Sequence, residues 1–377
     1  MKVLFLDQSG MLGGAELCLA DIAQQFCSTS LVGVFAEGSF PQILRQSNIP
    51  VVVLAEQILQ VQKASGVLTG LSSLNRLLPL IIKVTQLSKN YDLIYANTQK
   101  ALVVGAIASL LSHRPLVYHL HDIVSPDHFS TTNRRLIVTL ANRAALIIAN
   151  SQASSDAFIA AGGRSDTIQV VYNGFRLENY QATEPKSVHP GLNLKGKFVV
   201  GHFSRLAPWK GQHILMQALS QCPDDVVALL VGDALFGEND YVAELHRLVD
   251  TLNLQERVNF LGFRAEVPQL MHTCDLVAHT STAPEPFGRV IVEAMLCGRP
   301  VVATAAGGVT ELIQHGQNGW LFPPGDEQKL AHIINNCRAN PAETARMATF
   351  AETEAQRRFN LEETNRHIHR LLAKIGH

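Results

Sequence analysis

Short, wholly apolar runs alternate with longer amphipathic stretches along the chain. The first run, Val3-Leu-Phe-Leu-Asp7, is continuous and ends on a polar residue, the pattern of a strand buried on both faces of a parallel sheet. Runs of the same kind recur at 30–36, 51–54, 93–96, 116–120 and 146–149, and another closes at Val170-Val-Tyr-Asn-Gly174, where Asn-Gly signals a turn. Helical patterns separate them, beginning with Leu17, Leu19, Ile22 and Phe26. A second series restarts at 198–203 and continues through 227–231, 258–261, 276–281 and 301–304. Strand and helix alternating at this spacing predict a doubly wound parallel sheet, and two series predict two of them.

Between the series, residues 181–197 lose periodicity and carry Pro185, Pro190, Gly191 and Gly196, which marks an interdomain linker. The expected division is therefore a first domain over 1–180, the linker, and a second domain over 198–359. A terminal helical pattern follows at about 360–377, with Leu361, Ile368, Leu371 and Leu372 at helical spacing. A length of 377 residues agrees, being too long for one ordinary core. Residues 66–88 are apolar but interrupted by Arg76, Pro79 and Lys83. They read either as helix packed on the sheet or as a basic, apolar surface touching a lipid-linked substrate.

Composition narrows the classes. A net charge of -1 argues against nucleic-acid binding, and 47% apolar with 17% charged residues describes a well-cored globular chain. The six cysteines (Cys18, Cys27, Cys222, Cys274, Cys297, Cys337) are scattered without a C-x-x-C pair. They point away from a disulfide framework or a zinc site and toward buried thiols in a reducing cytosol. The first apolar run is too short for a signal peptide, and no segment reaches the roughly 18 apolar residues of a membrane span. The expected place is the cytoplasm, at most peripheral at the inner face of the plasma membrane.

Candidate chemistry gathers where strands end and helices begin, the ligand edge of such sheets. Gly10, Gly13, Gly14, Ala15 and Glu16 follow the first strand; without G-x-G-x-x-G spacing they serve either a phosphate or simple close packing. His121 lies at the carboxyl end of the 116–120 run, followed by Asp122, and suits hydrogen bonding to a substrate; His119, deeper, reads as structural. Arg205 and Lys210-Gly211, between a strand and the next helix, form an anion clamp. Gly232-Asp233, Gly262-Phe263 and Gly307-Gly308 close later strands. In Pro284-Glu-Pro-Phe-Gly-Arg-Val-Ile-Val-Glu293, two carboxylates flank a Phe-Gly turn that opens a helix. Carboxylates repel phosphate, so they suit hydroxyls beside it: Glu293 a ribose, Glu285 a transferred sugar. With no Asp-x-Asp pair in the chain, Arg205, Lys210 and helix N-termini would neutralise a diphosphate without metal. One site in a cleft between the two halves is expected.

The E-x7-E element Glu285…Glu293 with Phe287-Gly288, the Arg205…Lys210-Gly211 loop, Gly13-Gly14 and His121 together resemble the family-4 glycosyltransferases of GT-B fold, over essentially the whole chain. The resemblance implies two Rossmann-like domains facing across a cleft, with the last helix crossing back onto the first. It implies retaining, metal-independent transfer of a hexose from a nucleoside-diphosphate sugar, with UDP-glucose favoured. The acceptor it implies is a saccharide or lipid-linked saccharide of exopolysaccharide or envelope assembly. Arg205 and Lys210, with backbone N–H groups of Gly288, Arg289 and Val290, would hold the β-phosphate. Glu293 would hold the ribose, and Glu285 with His121 the donor sugar. Gly14 would lie beneath the phosphates, and Gly262, Phe263 and Arg264 beside the base; Gly13, Gly232 and Phe287 complete the donor-binding set. His121, Glu285, Arg205 and Lys210 are the expected catalytic residues, acting by charge and position. Arg289 departs from the aliphatic residue often found there; turned to the cleft it would add a phosphate or acceptor contact, but it is expected to face solvent.

Other readings of the same residues are a nucleotide-sugar epimerase, separable by mass balance of products, and a catalytically silent nucleotide-sugar sensor. A phosphorylase would need a much longer chain. A nicotinamide dehydrogenase lacks its glycine fingerprint in both halves.

Overall fold

In the computed structural model the described residues are 1–54, 67–181, 194–234 and 237–375, with backbone alone for 67–76. Of the expected linker, 182–193 lies outside them, as does Gly66. The described chain divides into two compact units, Met1–Gly174 with Leu361–His377, and Phe175–Asn360.

The first unit is a seven-stranded, all-parallel sheet. In chain order its strands are β1 (Val3–Asp7), β2 (Leu31–Val34), β3 (Val51–Val53), β4 (Leu93–Ala96), β5 (Leu116–Leu120), β6 (Leu146–Ala149) and β7 (Ile168–Val170), arranged β3-β2-β1-β4-β5-β6-β7. Strand order reverses at β1, with Phe5 level with both Val32 and Tyr95. Such a reversal opens a crevice at the carboxyl ends of the strands. Alternate residues of β1 feed opposite cores: Leu4 and Leu6 join Ile94, Leu116 and Tyr118 on one face, and Val3 and Phe5 join Tyr95, Val117 and Ile148 on the other. Helix α1 (Gly14–Ala23) packs on the second of these faces through Cys18, Leu19 and Ile22. The apolar 66–88 stretch forms α3 (Val67–Ser88), following α2 (Ser39–Gln46). Its Leu80, Ile81 and Val84 are buried, whereas Leu78 and Ile82 are exposed. No helix among the described residues is long and apolar enough to cross a membrane.

The second unit repeats the topology with six parallel strands. They are β8 (Phe198–Phe203), β9 (Val226–Val231), β10 (Val258–Gly262), β11 (Leu276–His279), β12 (Val301–Thr304) and β13 (Trp320–Phe322), in the order β10-β9-β8-β11-β12-β13. β13 and the long helix Pro341–Arg358 were not expected from the sequence. The short segment Phe175–Tyr180 packs in this unit rather than the first. Phe175 donates its backbone N–H to Phe359 O at 2.8 Å, and its ring stacks on Phe287. The packing division therefore precedes the expected one at residue 180.

The terminal helix Leu361–Ala373 packs in the first unit, with Ile368 and Leu372 buried in the same cluster as Phe5, Leu19 and Ile22. Asn365 Nδ2 donates to Asp21 O at 3.1 Å, and the His369 ring stacks on Phe26. Leu372→Ala is expected to destabilise the first unit by about 2–5 kcal/mol. The measurement is faster hydrogen exchange in β1 and β4; unchanged exchange there would contradict this role for the helix.

Candidate active site

In the second unit the site is built by two loops leaving adjacent strands, β8 and β11, which pair with Val200 level with Leu276. After β8 the chain runs through Ser204 and Arg205 to a tight turn, Pro208–Lys210, and into α7 (Gln212–Leu219). Gln212, fully buried, donates to Ser204 Oγ and to Arg205 O, both at 2.9 Å, and so ties the loop to the start of α7. Gly211 stands at φ +70°, and a Cβ there would run into the carbonyl oxygen of Thr280. That contact lets the Thr280 hydroxyl donate to Gly211 O at 2.7 Å. Its hydrogen thus committed, Thr280 Oγ1 accepts from His202 Nε2 at 3.0 Å.

The loop after β11 carries Glu285. Its backbone is pinned by a parallel bridge to Gly307 and by Gly308 N–H donating to Glu285 O at 2.8 Å. A Cβ on Gly308 would collide with Pro286 O, so this approach needs glycine. The carboxylate then meets Lys210: Nζ lies 2.7 Å from Oε2, with both side chains mostly buried. Ser281 Oγ donates to the same oxygen at 3.1 Å and His279 Nε2 lies 3.2 Å from it. Burial alone would raise the Glu285 pKa, but the Lys210 charge and the His279 contact outweigh it and hold the carboxyl well below the usual range. Lys210 Nζ also sits 4.0 Å from the centre of the Trp209 ring, a cation–π contact. Arg205 stands on the same loop, 5.7 Å from that ring and 4.0 Å from Glu238 Oε2.

The Phe287-Gly288 turn opens α10 (Arg289–Leu296), with Gly288 in the left-handed conformation. Phe287 is buried between Phe175 and Phe359, so its ring supports the turn. One turn on, Glu293 Oε1 lies 3.4 Å from Arg289 Nη2. The expectation that Arg289 faces solvent fails: its side chain is 13% exposed and its guanidinium lies 4.5 Å over the Phe175 ring. An i,i+4 carboxylate and an aromatic face offer the fork more than water does. Burial raises the Glu293 pKa, opposed by the Arg289 charge and a hydrogen bond involving Tyr180. Gly232 and Gly262 join the ends of β9 and β10 through Gly232 N–H donating to Gly262 O at 2.9 Å. Beside them Phe263 is 66% exposed, while Arg264 is half-buried.

In the first unit, strand ends β1, β4 and β5 converge on a buried polar network. Asn97 Nδ2 donates to Asp7 Oδ2 at 2.7 Å and to Ala15 O at 3.1 Å; its Oδ1 lies 2.9 Å from His121 Nε2. Both amide hydrogens being placed, Asn97 Oδ1 accepts and His121 Nε2 carries the proton. Gln99 Nε2 donates to Asp122 Oδ2 at 2.9 Å. Gly13 and Gly14 begin α1 ahead of Glu16, which is buried and faces Asp7 electrostatically. Burial raises both carboxyls, and the Asp7 charge raises Glu16 further. Gly10 belongs to packing, because a Cβ on it would strike the Glu37 carbonyl.

Sequence reasoning passed over His279, Ser281, Trp209 and Gln212 here, and the network formed by Asp7 and Asn97 in the first unit. Polar residues closing apolar strands were the available signal for Asp7, Asn97 and His279.

Two family models match: "Glycosyltransferase Family 4" over residues 12–179 and "Glycosyl transferases group 1" over 186–354. The crystal structure of Anabaena HepE in complex with UDP-glucose is 57% identical, with a TM-score of 0.93, over 99% of this chain and 100% of that one. The chain belongs to glycosyltransferase family 4. This family-4 enzyme has the GT-B fold class, and its two parallel sheets agree with that. A further structure of HepE, in complex with UDP and glucose, gives 58% identity and a TM-score of 0.92, over 99% of each chain. Among curated proteins, spore coat protein SA of Bacillus subtilis is 31% identical over 52% of this chain and 55% of its own length. D-inositol 3-phosphate glycosyltransferase of Mycobacterium sp. (strain JLS) is 29% identical over 68% of this chain and 61% of its own length. The chain thus spans little more than half the length of these curated relatives.

Electrostatics of the second unit give a pH dependence. Burial, with the charges of His279 and Lys210, pushes the His202 pKa down to about 3. The unfolded chain protonates His202 near its ordinary value of about 6.5. Stability from this residue is therefore complete above that pH and declines as pH falls toward about 3. Glu285, held low, adds a further loss as pH drops below its ordinary value, whereas Glu293, raised, opposes it. The chain's two tryptophans, Trp209 and Trp320, both lie in this unit and report its unfolding. The urea midpoint of their fluorescence should fall between pH 6.5 and 4.5, and His202→Gln should flatten that slope; equal slopes would refute the assignment.

Proposed function

We propose that this family-4 hexosyltransferase transfers glucose from UDP-glucose, with retention at the anomeric carbon and no required metal, to a saccharide or lipid-linked saccharide acceptor of exopolysaccharide or envelope assembly. The observation that carries the donor is the 57% identity, over 99% of the chain, to a protein crystallised in complex with UDP-glucose. The side chains of the second unit support it. Lys210 and Arg205, on one loop after β8, supply two cations for the diphosphate, and the N–H groups at the start of α10 add donors. Glu293 is assigned to the ribose, Gly262, Phe263 and Arg264 to the base, and Gly232 and the Phe287-Gly288 turn to the nucleotide-binding set. From the first unit, His121 is assigned to the transferred sugar, and Gly13 and Gly14, at the start of α1, to the phosphates.

The paired state of Lys210 and Glu285 refines the mechanism. All three side-chain partners of Glu285 meet Oε2, so Oε1 is the oxygen suited to accept from a sugar hydroxyl. A diphosphate drawing Lys210 toward itself leaves the carboxylate held by Ser281 and His279. Charge developing on the leaving diphosphate is then met by cations already in place, which is where preorganisation lowers the barrier.

Three measurements test this reading. Lys210→Ala should lose about 10²–10³-fold in kcat, what one preorganised donor is worth; near-normal turnover would remove Lys210 from the clamp. Glu293→Ala should weaken UDP binding in calorimetry, and unchanged affinity would exclude the ribose role. With UDP-glucose and an acceptor, NMR should find an α-linked product formed equally fast with EDTA; a β-linked product or loss of rate would overturn retention or metal independence respectively.

A further inference from the structure

The geometry points to a zinc-class metal site in the first unit, formed by Cys18, His119 and His121. One ligating atom from each lies within 4.8 Å of the others. Cys18 projects from the buried face of α1, His119 belongs to β5 and His121 follows it, so rigid elements supply the three groups. The two imidazole rings approach to 3.9 Å between centroids. Tetrahedral Zn–S and Zn–N bonds place neighbouring donor atoms roughly 3.3–3.6 Å apart, so a modest inward movement closes the set.

An independent observation aims at a ligand. His119 Nε2 is buried and has no hydrogen-bond partner among the described residues. Its Nδ1 lies 2.7 Å from the Tyr95 hydroxyl. When Nδ1–H donates to that hydroxyl, Nε2 presents a bare lone pair, and a metal satisfies it. For His121 the neighbours decide: Nε2–H donates to Asn97 Oδ1, leaving Nδ1 as the coordinating atom. Asn97 is itself anchored on Asp7, giving the outer-shell support that orients metal-bound imidazoles. The Cys18 thiol, now 3.3 Å from Asn173 Oδ1, gives its proton to solvent on binding and becomes the thiolate ligand.

One sulfur and two imidazole nitrogens suit Zn²⁺ and not the hard ions Mg²⁺ or Ca²⁺. Three protein ligands leave a fourth position for water. Zinc here occupies His121, and the consequence, which rests on the assignment of His121 to the donor sugar, is inhibition of transfer.

The test titrates the full chain with Co²⁺ and Zn²⁺. Expected are a sulfur-to-cobalt absorption band in the near ultraviolet and one equivalent of zinc by calorimetry. Cys18→Ser should abolish the band, and His119→Gln should weaken zinc binding by at least about tenfold, with circular dichroism confirming both variants folded. Absence of the band, or its persistence in Cys18→Ser, overturns the site. In transfer assays, zinc should inhibit the wild type and spare Cys18→Ala, whose basal rate is unchanged. Zinc bound without inhibition overturns the capture of His121. If UDP-glucose is no donor at all, the titrations still decide the site.

Discussion

The second unit depends on a cation and a carboxylate brought together away from water, Lys210 and Glu285 at 2.7 Å. Breaking such a pair by removing one partner typically costs about 3–5 kcal/mol, because the other charge is left stranded. The pair is therefore a constraint on the fold as well as a piece of chemistry. It requires β8 and β11 to be neighbours, so that their loops leave the same sheet edge together. It requires Gly211 against the Thr280 carbonyl and Gly308 against the Pro286 carbonyl, two approaches with no room for a side chain. His279 and Ser281 then complete the carboxylate's coordination on the oxygen that Lys210 already holds.

Much of this was legible in the chain. The strands at 93–96, 116–120, 146–149, 198–203 and 301–304 coincide with β4, β5, β6, β8 and β12, since uninterrupted apolar runs have no other place than a doubly covered sheet. β13 escaped because three residues make no periodic signal, and the helix Pro341–Arg358 because its alanine, glutamate and arginine content hides a narrow buried stripe. The loop residues were named from their type and their position at strand ends. What type and position could not give was pairing. The cations were assigned to phosphate and the glutamates to hydroxyls, whereas Lys210 sits on Glu285 and Arg289 sits beside Glu293. Cys18 and His119, about a hundred residues apart, share no spacing that a sequence motif could register, yet β5 and α1 bring them together.

The two units share a topology and solve the same electrostatic problem in opposite ways. Each collects carboxyl groups at the carboxyl edge of its sheet, where strand order reverses. In the second unit a lysine answers the carboxylate, and Glu285 is held ionised. In the first, Asp7 and Glu16 form no salt bridge among the described residues, and burial raises both. Two buried carboxyls that influence each other do not both ionise readily, so the pair gives up its second proton only above the usual carboxylate range. Asn97, between Asp7 and His121, joins the two through hydrogen bonds. The second unit thus sets a cation against a carboxylate at its edge, while the first joins its polar side chains there through hydrogen bonds.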